Sequence, residues 1–290
     1  MKKLSIIQPG AQRSLVTAVL HNLGLPADPT LDQLRLTPSG NVRPFLGRSL
    51  KTMKGDDVGV LTGILYGAPA RSSGINTCAM HGECAGVCIK TAGQMTYPSS
   101  EHSRLLKTLY LHFYPEDALA QIRGECARLA RKAAKKGMQG AVRLNGTTDR
   151  QWENDGSLLN DIISMGLVPY DYTKLDPNRR IKRSPPEYHL TYSFDPTSPI
   201  PGGSLSVARS YLSAGGNVAI VVNAIGGTTA NHAKEAQAAL LSRGSWETFP
   251  VISGDDTDVR YRDPAGHVVV LHAKGAAIRS DSPFIQRIRT

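Results

Sequence analysis

An α/β fold, built as a partial or full (β/α) barrel behind an irregular N-terminal extension, is what the sequence predicts, and three observations lead there. After Gly140, short apolar runs of strand character alternate with stretches whose apolar residues recur at helical spacing, the rhythm of parallel strands joined by crossover helices. Polar and ionisable residues fall at the carboxyl ends of the strand candidates, where the loops of a βα-barrel assemble a site. Ahead of that rhythm, three of the four cysteines crowd into one loop, Cys78-x5-Cys84-x3-Cys88. An open sheet would place its polar residues in the same way, at a switch point.

Taken in order, residues 1–70 read as an extension packed on the barrel and 71–290 as the barrel-like domain with the cysteine loop. Met1-Lys2-Lys3 opens like a signal peptide, but Gln8 and Pro9 arrive before any sustained apolar run, and no later stretch approaches a membrane span. A soluble protein of the cytoplasm is expected. Ala11 to Leu23 fits a helix ended by Gly24 and Pro26. Asp57 to Tyr66 fits a strand or hairpin leading toward the loop, and Ile75-Asn76-Thr77 a short strand directly before it. Ser103–Leu111 and Pro115–Lys136 are helical. Pro115 suits a first-turn position, and Leu119, Ile122, Cys126, Leu129 and Ala133 form one apolar stripe. Cys126 on that stripe reads as a buried thiol.

Strands are predicted at Ala141–Leu144, Leu167–Tyr172, Tyr188–Ser193, Asn217–Val222, Val251–Gly254 and His267–Ala273, with helices at Leu158–Met165, Ser204–Ser213 and Thr229–Ser242. Asn145 and Asp149, Tyr172 and Lys174, Tyr192 and Ser193, Asn223, Asp255 and Asp256, and His272 and Lys274 would then ring one mouth.

The cysteine loop sets the chemistry. Gly82 and Gly86 let the backbone turn back, so three thiolates can be aimed at one soft metal centre. An electron-transfer cluster or structural zinc takes four protein ligands, whereas three cysteines on a 4Fe-4S cluster leave one iron open for a small molecule. S-adenosylmethionine is the best-known guest of such an iron. Zinc with His81 as fourth ligand, and unliganded thiols, are the alternatives. Around an open-iron cluster, Asn145 and Asp149 would accept from hydroxyls or an ammonium, Lys174 would meet a carboxylate, and Tyr172 would stack on adenine or pass a hydrogen atom, although a packed strand aromatic is the first reading of Tyr172. The Asn145–Asp149 segment is equally an ordinary turn and cap sequence. Asp255, Asp256 and Asp258 suit a hard cation, or a salt-bridged turn with Arg260 and Arg262, and Asp263-Pro-Ala-Gly266 reads as a hairpin. No complete phosphate-binding glycine loop and no Gly-x-Ser-x-Gly turn is present.

A formal net charge of +10 and the basic runs Arg128–Lys136 and Arg179–Arg183 point to a polyanion, nucleic acid first; a set of solvated faces would look the same.

The order of motifs resembles a family. The cysteine loop is followed by Arg143–Asp149, Tyr170–Lys174, Tyr188–Ser193, Gly254–Gly266 and Ala273-Lys274-Gly275, and this succession is similar to the phage and plasmid "gene product eighty-eight" group, over roughly Asn76 to Ala277. The resemblance implies a mobile-element origin and a radical-SAM-like barrel carrying an iron–sulfur cluster, with no established reaction. Further carboxyl-terminal cysteines of that group have no counterpart here beyond Cys126, so any cluster rests on Cys78, Cys84 and Cys88.

Overall fold

The computed structural model describes residues 9–290; the segment Met1 to Gln8, where the signal-like start falls, lies outside the described residues. The architecture is mixed α/β: a ten-stranded sheet with helices packed against it. The chain enters through α1 (Pro9–Asn22) and α2 (Leu31–Arg35), the latter started by a capping box in which Thr30 and Gln33 exchange hydrogen bonds. β1 (Leu46–Gly47) and α3 (Leu50–Met53) precede β2 (Val60–Leu65). The long cysteine-bearing connection leads to α4 (Pro98–Phe113) and α5 (Pro115–Lys135), each with proline in the first turn.

Strand and helix then alternate: β3 (Gln139–Arg143), α6 (Leu158–Ser164), β4 (Val168–Thr173), α7 (Pro177–Arg180), β5 (His189–Ser193), α8 (Ser204–Ser213), β6 (Asn217–Ala224) and α9 (Ala230–Arg243). The chain closes with β7 (Ser245–Trp246), β8 (Phe249–Ser253), β9 (Val268–His272) and β10 (Ile285–Ile288). Strand order is β1-β2-β3-β4-β5-β6-β9-β8-β7, with β10 on the far half of β6. All pairs from β2 through β8 are parallel, and only the short edges β1 and β7 run against their neighbours.

Three sequence expectations change. β2, assigned to the extension, is an integral parallel strand, so the sheet starts before residue 70. Ile75-Asn76-Thr77 forms no strand; Thr77 is tied by turn hydrogen bonds to Ala68 and Ala70 instead. Asp263–Gly266 is no hairpin, because β8 and β9 are parallel and the chain must cross over between them.

Each strand presents two faces. Val142 and Leu144 of the β3 segment join Leu106, Leu109, Ile122, Cys126, Leu158 and Ile162 of α4, α5 and α6 in one core, so the apolar stripe on α5 is core as the spacing predicts. A second core joins α8 and α9 to β6 and β9. On the opposite face Val60, Ala141 and Tyr170 pack against Val259 of the β8–β9 connection. That connection also reaches the other end of the sheet: Lys54 Nζ donates to Asp255 O at 2.7 Å and Arg262 Nη1 to Val58 O at 2.7 Å. No ladder joins the two edges among the described residues.

Candidate functional site

The cysteine loop leaves the carboxyl end of β2 and crosses the ends of the neighbouring strands. Near its start, the Cys78 sulfur lies 3.3 Å from the Ala70 N–H and 3.8 Å from Thr147 O, beyond β3. Asp149 N donates to Thr77 O at 2.9 Å, fastening the loop to the β3 turn. Further on, Cys84 and Val87 pack with Ala273 and Phe284, past the ends of β9 and before β10. The loop's exit is pinned by Thr91, whose hydroxyl accepts from Ala276 N at 2.9 Å. Gly275 permits this approach, since its φ is +58° and a Cβ there would sit 2.5 Å from Thr91 Oγ1.

The three thiols thus occupy one region, yet they are not drawn to one point. Among the described residues no three His, Cys, Asp or Glu side chains are gathered to hold a metal ion. A single tetrahedral zinc would need its sulfurs about 3.8 Å apart, given Zn–S bonds of about 2.3 Å; a four-iron cube spreads its ligands wider. Burial pushes the Cys78 thiol up to about 12 and the Cys84 thiol up to about 11, so burial by itself disfavours both thiolates. The donor set fits a three-thiolate centre in number and in residue type, while the thiols are not gathered as a bound centre would hold them. Nearby, His81 Nδ1 is buried without a hydrogen-bond partner among the described residues.

Beneath the loop sit the strand-end residues. Lys174 is buried; its Nζ lies 3.4 Å from Ser193 O, 3.8 Å from Asp195 Oδ2 and 3.9 Å from the centre of the Phe284 ring. Desolvation lowers its pKa, while the Cys84 and Asp195 charges oppose that shift. Asp195, 1% exposed, was not among the residues singled out from sequence, although a carboxylate two residues past a predicted strand carried the same signal as Lys174. Its Oδ2 makes no hydrogen bond, and a Cβ on Gly82 would lie 3.8 Å from it.

Asn145 and Asp149 are committed elsewhere. Asn145 Oδ1 accepts from Thr148 Oγ1, Arg150 N and Trp152 Nε1, and its Nδ2 donates to Arg150 O, which makes it the brace of its own turn. Asp149 Oδ2 accepts Lys174 N at 2.8 Å and its Oδ1 accepts Arg180 Nη1 at 3.0 Å. It therefore positions Lys174 rather than facing an open space. Tyr172 points to the face that packs on the β8–β9 connection, with the Arg143 guanidinium 5.0 Å above its ring, not toward the thiols. Asp255 pairs with His272 and Lys274 while Asp258 pairs with Arg143 and Lys51, so the aspartates diverge and the salt-bridged arrangement replaces a hard-cation site.

One carboxyl in this layer carries a pH prediction. Asp171, 1% exposed, accepts Asn145 N and Tyr188 Oη, both at 2.8 Å, and burial pushes it up to about 7 against the pull of Arg143. An unfolded aspartate titrates near 3.9, so between about pH 4 and 7 the folded state keeps a proton that the unfolded chain has released. Stability from this group is then full at low pH and lost as pH rises to about 7. Urea unfolding at pH 5 and pH 8 is expected to show a smaller drop for Asp171→Asn than for wild type; an equal drop would assign the slope to other groups.

No helix among the described residues is long and apolar enough to cross a membrane. No curated protein and no solved structure matches the chain. Residues 44–288 match the family described as Gene product 88, and with most of its length inside that match the chain belongs to the Gene product 88 family.

Proposed function

We propose that Cys78, Cys84 and Cys88 hold a 4Fe-4S cluster with one open iron, at the strand ends of a partial barrel, in a radical-SAM-like enzyme acting on a nucleic acid or nucleotide. The observation that carries this reading is the loop itself, whose half-buried Cys78 and Cys84 lie near the buried Lys174, with Cys88 beside Cys84 and Cys126 away in the core. When bound, such a cluster supplies one electron to a chelated sulfonium such as S-adenosylmethionine. The chain's own part is electrostatic. Ala70 N–H donates to the Cys78 sulfur and favours its thiolate. The Lys174 ammonium, kept from water, favours the Cys84 thiolate and would meet a carboxylate of the guest. Asp195 Oδ2, ion-paired with Lys174 at 3.8 Å but without a hydrogen bond among the described residues, could also accept from an ammonium.

A second reading is a non-catalytic nucleic-acid-binding or assembly protein with a structural metal staple, for which zinc would use His81. One observation favours it. Arg128, Arg131, Lys132, Lys135 and Lys136 are exposed on the last turns of α5 without an ion-pair partner among the described residues. These turns lead directly into the amino end of β3, so the stripe lies at the opposite end of the strands from the thiols. Phosphates bound there would not reach the cysteine loop.

Anaerobic purification with iron, sulfide and zinc analysis separates the two. About four irons and four sulfides per chain with a band near roughly 400 nm, all lost in Cys84→Ala, is the result expected of the three-thiolate centre. Stoichiometric zinc, or no metal, would leave the staple or a bare fold and remove the radical chemistry.

A further inference from the structure

A second concavity, of about 550 Å3, opens where the β5–α8 connection, the β7–β8 hairpin and β10 meet; Phe194, Gly203, Ser204, Ser206, Trp246 and Gln286 are among its walls. Its volume is that of a small-molecule site.

Two independent features mark one wall for an anion. α8 starts there, after Gly202 and Gly203 at φ +88° and +81°, and no side chain caps it and no acidic residue occupies its first turn. A ten-residue helix with an uncapped end presents N–H groups and a partial positive charge. Separately, Ser204 is only 4% exposed and its hydroxyl has no hydrogen-bond partner among the described residues. A serine this enclosed ordinarily finds a partner, and the little surface it keeps belongs to the concavity it lines. The carboxylate of Glu247, also in the lining, is paired to Arg209 and so is largely neutralised.

The facing wall is aromatic. Phe194 meets Trp246 edge to face at 5.4 Å, which fixes an indole that is itself only partly covered. Gln286 donates its Nε2 to Pro283 O at 3.2 Å, leaving its carbonyl oxygen to accept from an exocyclic amine. Helix amides and hydroxyls on one side, with a flat ring and an acceptor on the other, match one ligand class.

We propose that this concavity binds a nucleoside 5′-monophosphate group, its phosphate on the amino end of α8 with Ser204 and Ser206 and its base against Trp246. The group is either a free nucleotide or the 5′ end of a strand. The site is separate from the cysteine loop, and its test needs no metal.

Isothermal titration of the full chain with adenosine 5′-monophosphate, adenosine and inorganic phosphate is the experiment. The monophosphate is expected to saturate the protein at least about tenfold more tightly than either part alone, since both walls must be used. Ser206→Glu places a carboxylate in the first turn, where it suits the helix and excludes a phosphate. It should weaken binding at least about tenfold without lowering the melting temperature, and Trp246→Leu should weaken it about fivefold or more. A 5′-phosphorylated dinucleotide that binds as well as the monophosphate would identify a strand end as the source, and its exclusion a free nucleotide, both on the proposed site. Absence of saturable monophosphate binding, full affinity in Ser206→Glu, or equal affinity for inorganic phosphate would overturn the assignment.

Discussion

Replacing Arg180 with methionine is expected to destabilise the fold by about 3–5 kcal/mol, the cost of leaving buried carboxylates without their cation. The basic run Arg179–Arg183 looks in sequence like a patch for phosphates, but Arg180 turns inward and is 1% exposed. Its Nη2 and Nε reach Glu153 at 2.7 and 2.9 Å and its Nη1 reaches Asp149 at 3.0 Å. The Glu153 carboxylate is wholly buried. Burial alone would lower the arginine pKa, yet the Glu153 hydrogen bonds and the surrounding negative charge raise it further than burial lowers it. Removing the guanidinium strands two carboxylates in the low-dielectric interior, where each must take a proton or find water. Arg180→Lys keeps the charge and loses the fork, so its loss should be intermediate. Equilibrium denaturation of the three proteins at neutral pH measures the order. A methionine variant within about 0.5 kcal/mol of wild type, the range of an ordinary surface change, would mean that the cluster is solvated.

The same residue explains what was legible in the sequence. Strand and helix alternation from Gln139 onward follows from hydrophobic periodicity, which is local, and each predicted element there matches an observed one within a few residues, Ser204–Ser213 coinciding, while the short α7, β7 and β10 were not foreseen. Local signals also placed Cys126 in the core. What periodicity does not encode is the direction of a polar side chain. Asn145, Asp149 and Arg180 are polar residues beyond strand ends, as a ligand site requires, but they spend their donors and acceptors on one another's loops. Asp195 carried the same strand-end signal as Lys174 without a named motif, and its carboxylate lies near Cys84. β2 was set apart from the barrel because about thirty residues of irregular chain separate it from α4, and no local pattern reveals that it pairs with β3. The aspartate-rich stretch 255–258 failed for a related reason: its carboxylates are close in sequence, while Arg143 and Lys274, which separate them, are remote.

Asp258→Ala should cost as much as the loss of Arg180, about 3–5 kcal/mol, and its partner variant decides why. Asp258 is 1% exposed and joins three distant parts of the chain. Its Oδ2 accepts from Arg143 Nη1 of β3 at 2.7 Å, its Oδ1 lies 3.4 Å from Lys51 Nζ of α3, and it stands in the β8–β9 connection. Burial pushes its carboxyl up, but Arg143 and Lys51 together hold it below the ordinary range. With the carboxylate gone, the buried Arg143 retains only the Asn145 carbonyl at 3.5 Å and the Tyr172 ring. The β8–β9 connection loses one of its ties to the sheet, beside those of Asp255, Arg262 and Val259. If the penalty comes from an uncompensated buried charge, the double variant Arg143→Met, Asp258→Leu should be more stable than Asp258→Ala alone, by about 2 kcal/mol or more, because two apolar side chains can share the space. Strict additivity of the single losses would instead mean that each residue acts through separate contacts. The connection would then be fixed by Val259 packing against Val60 and Tyr170, and not by the ion pair at its start.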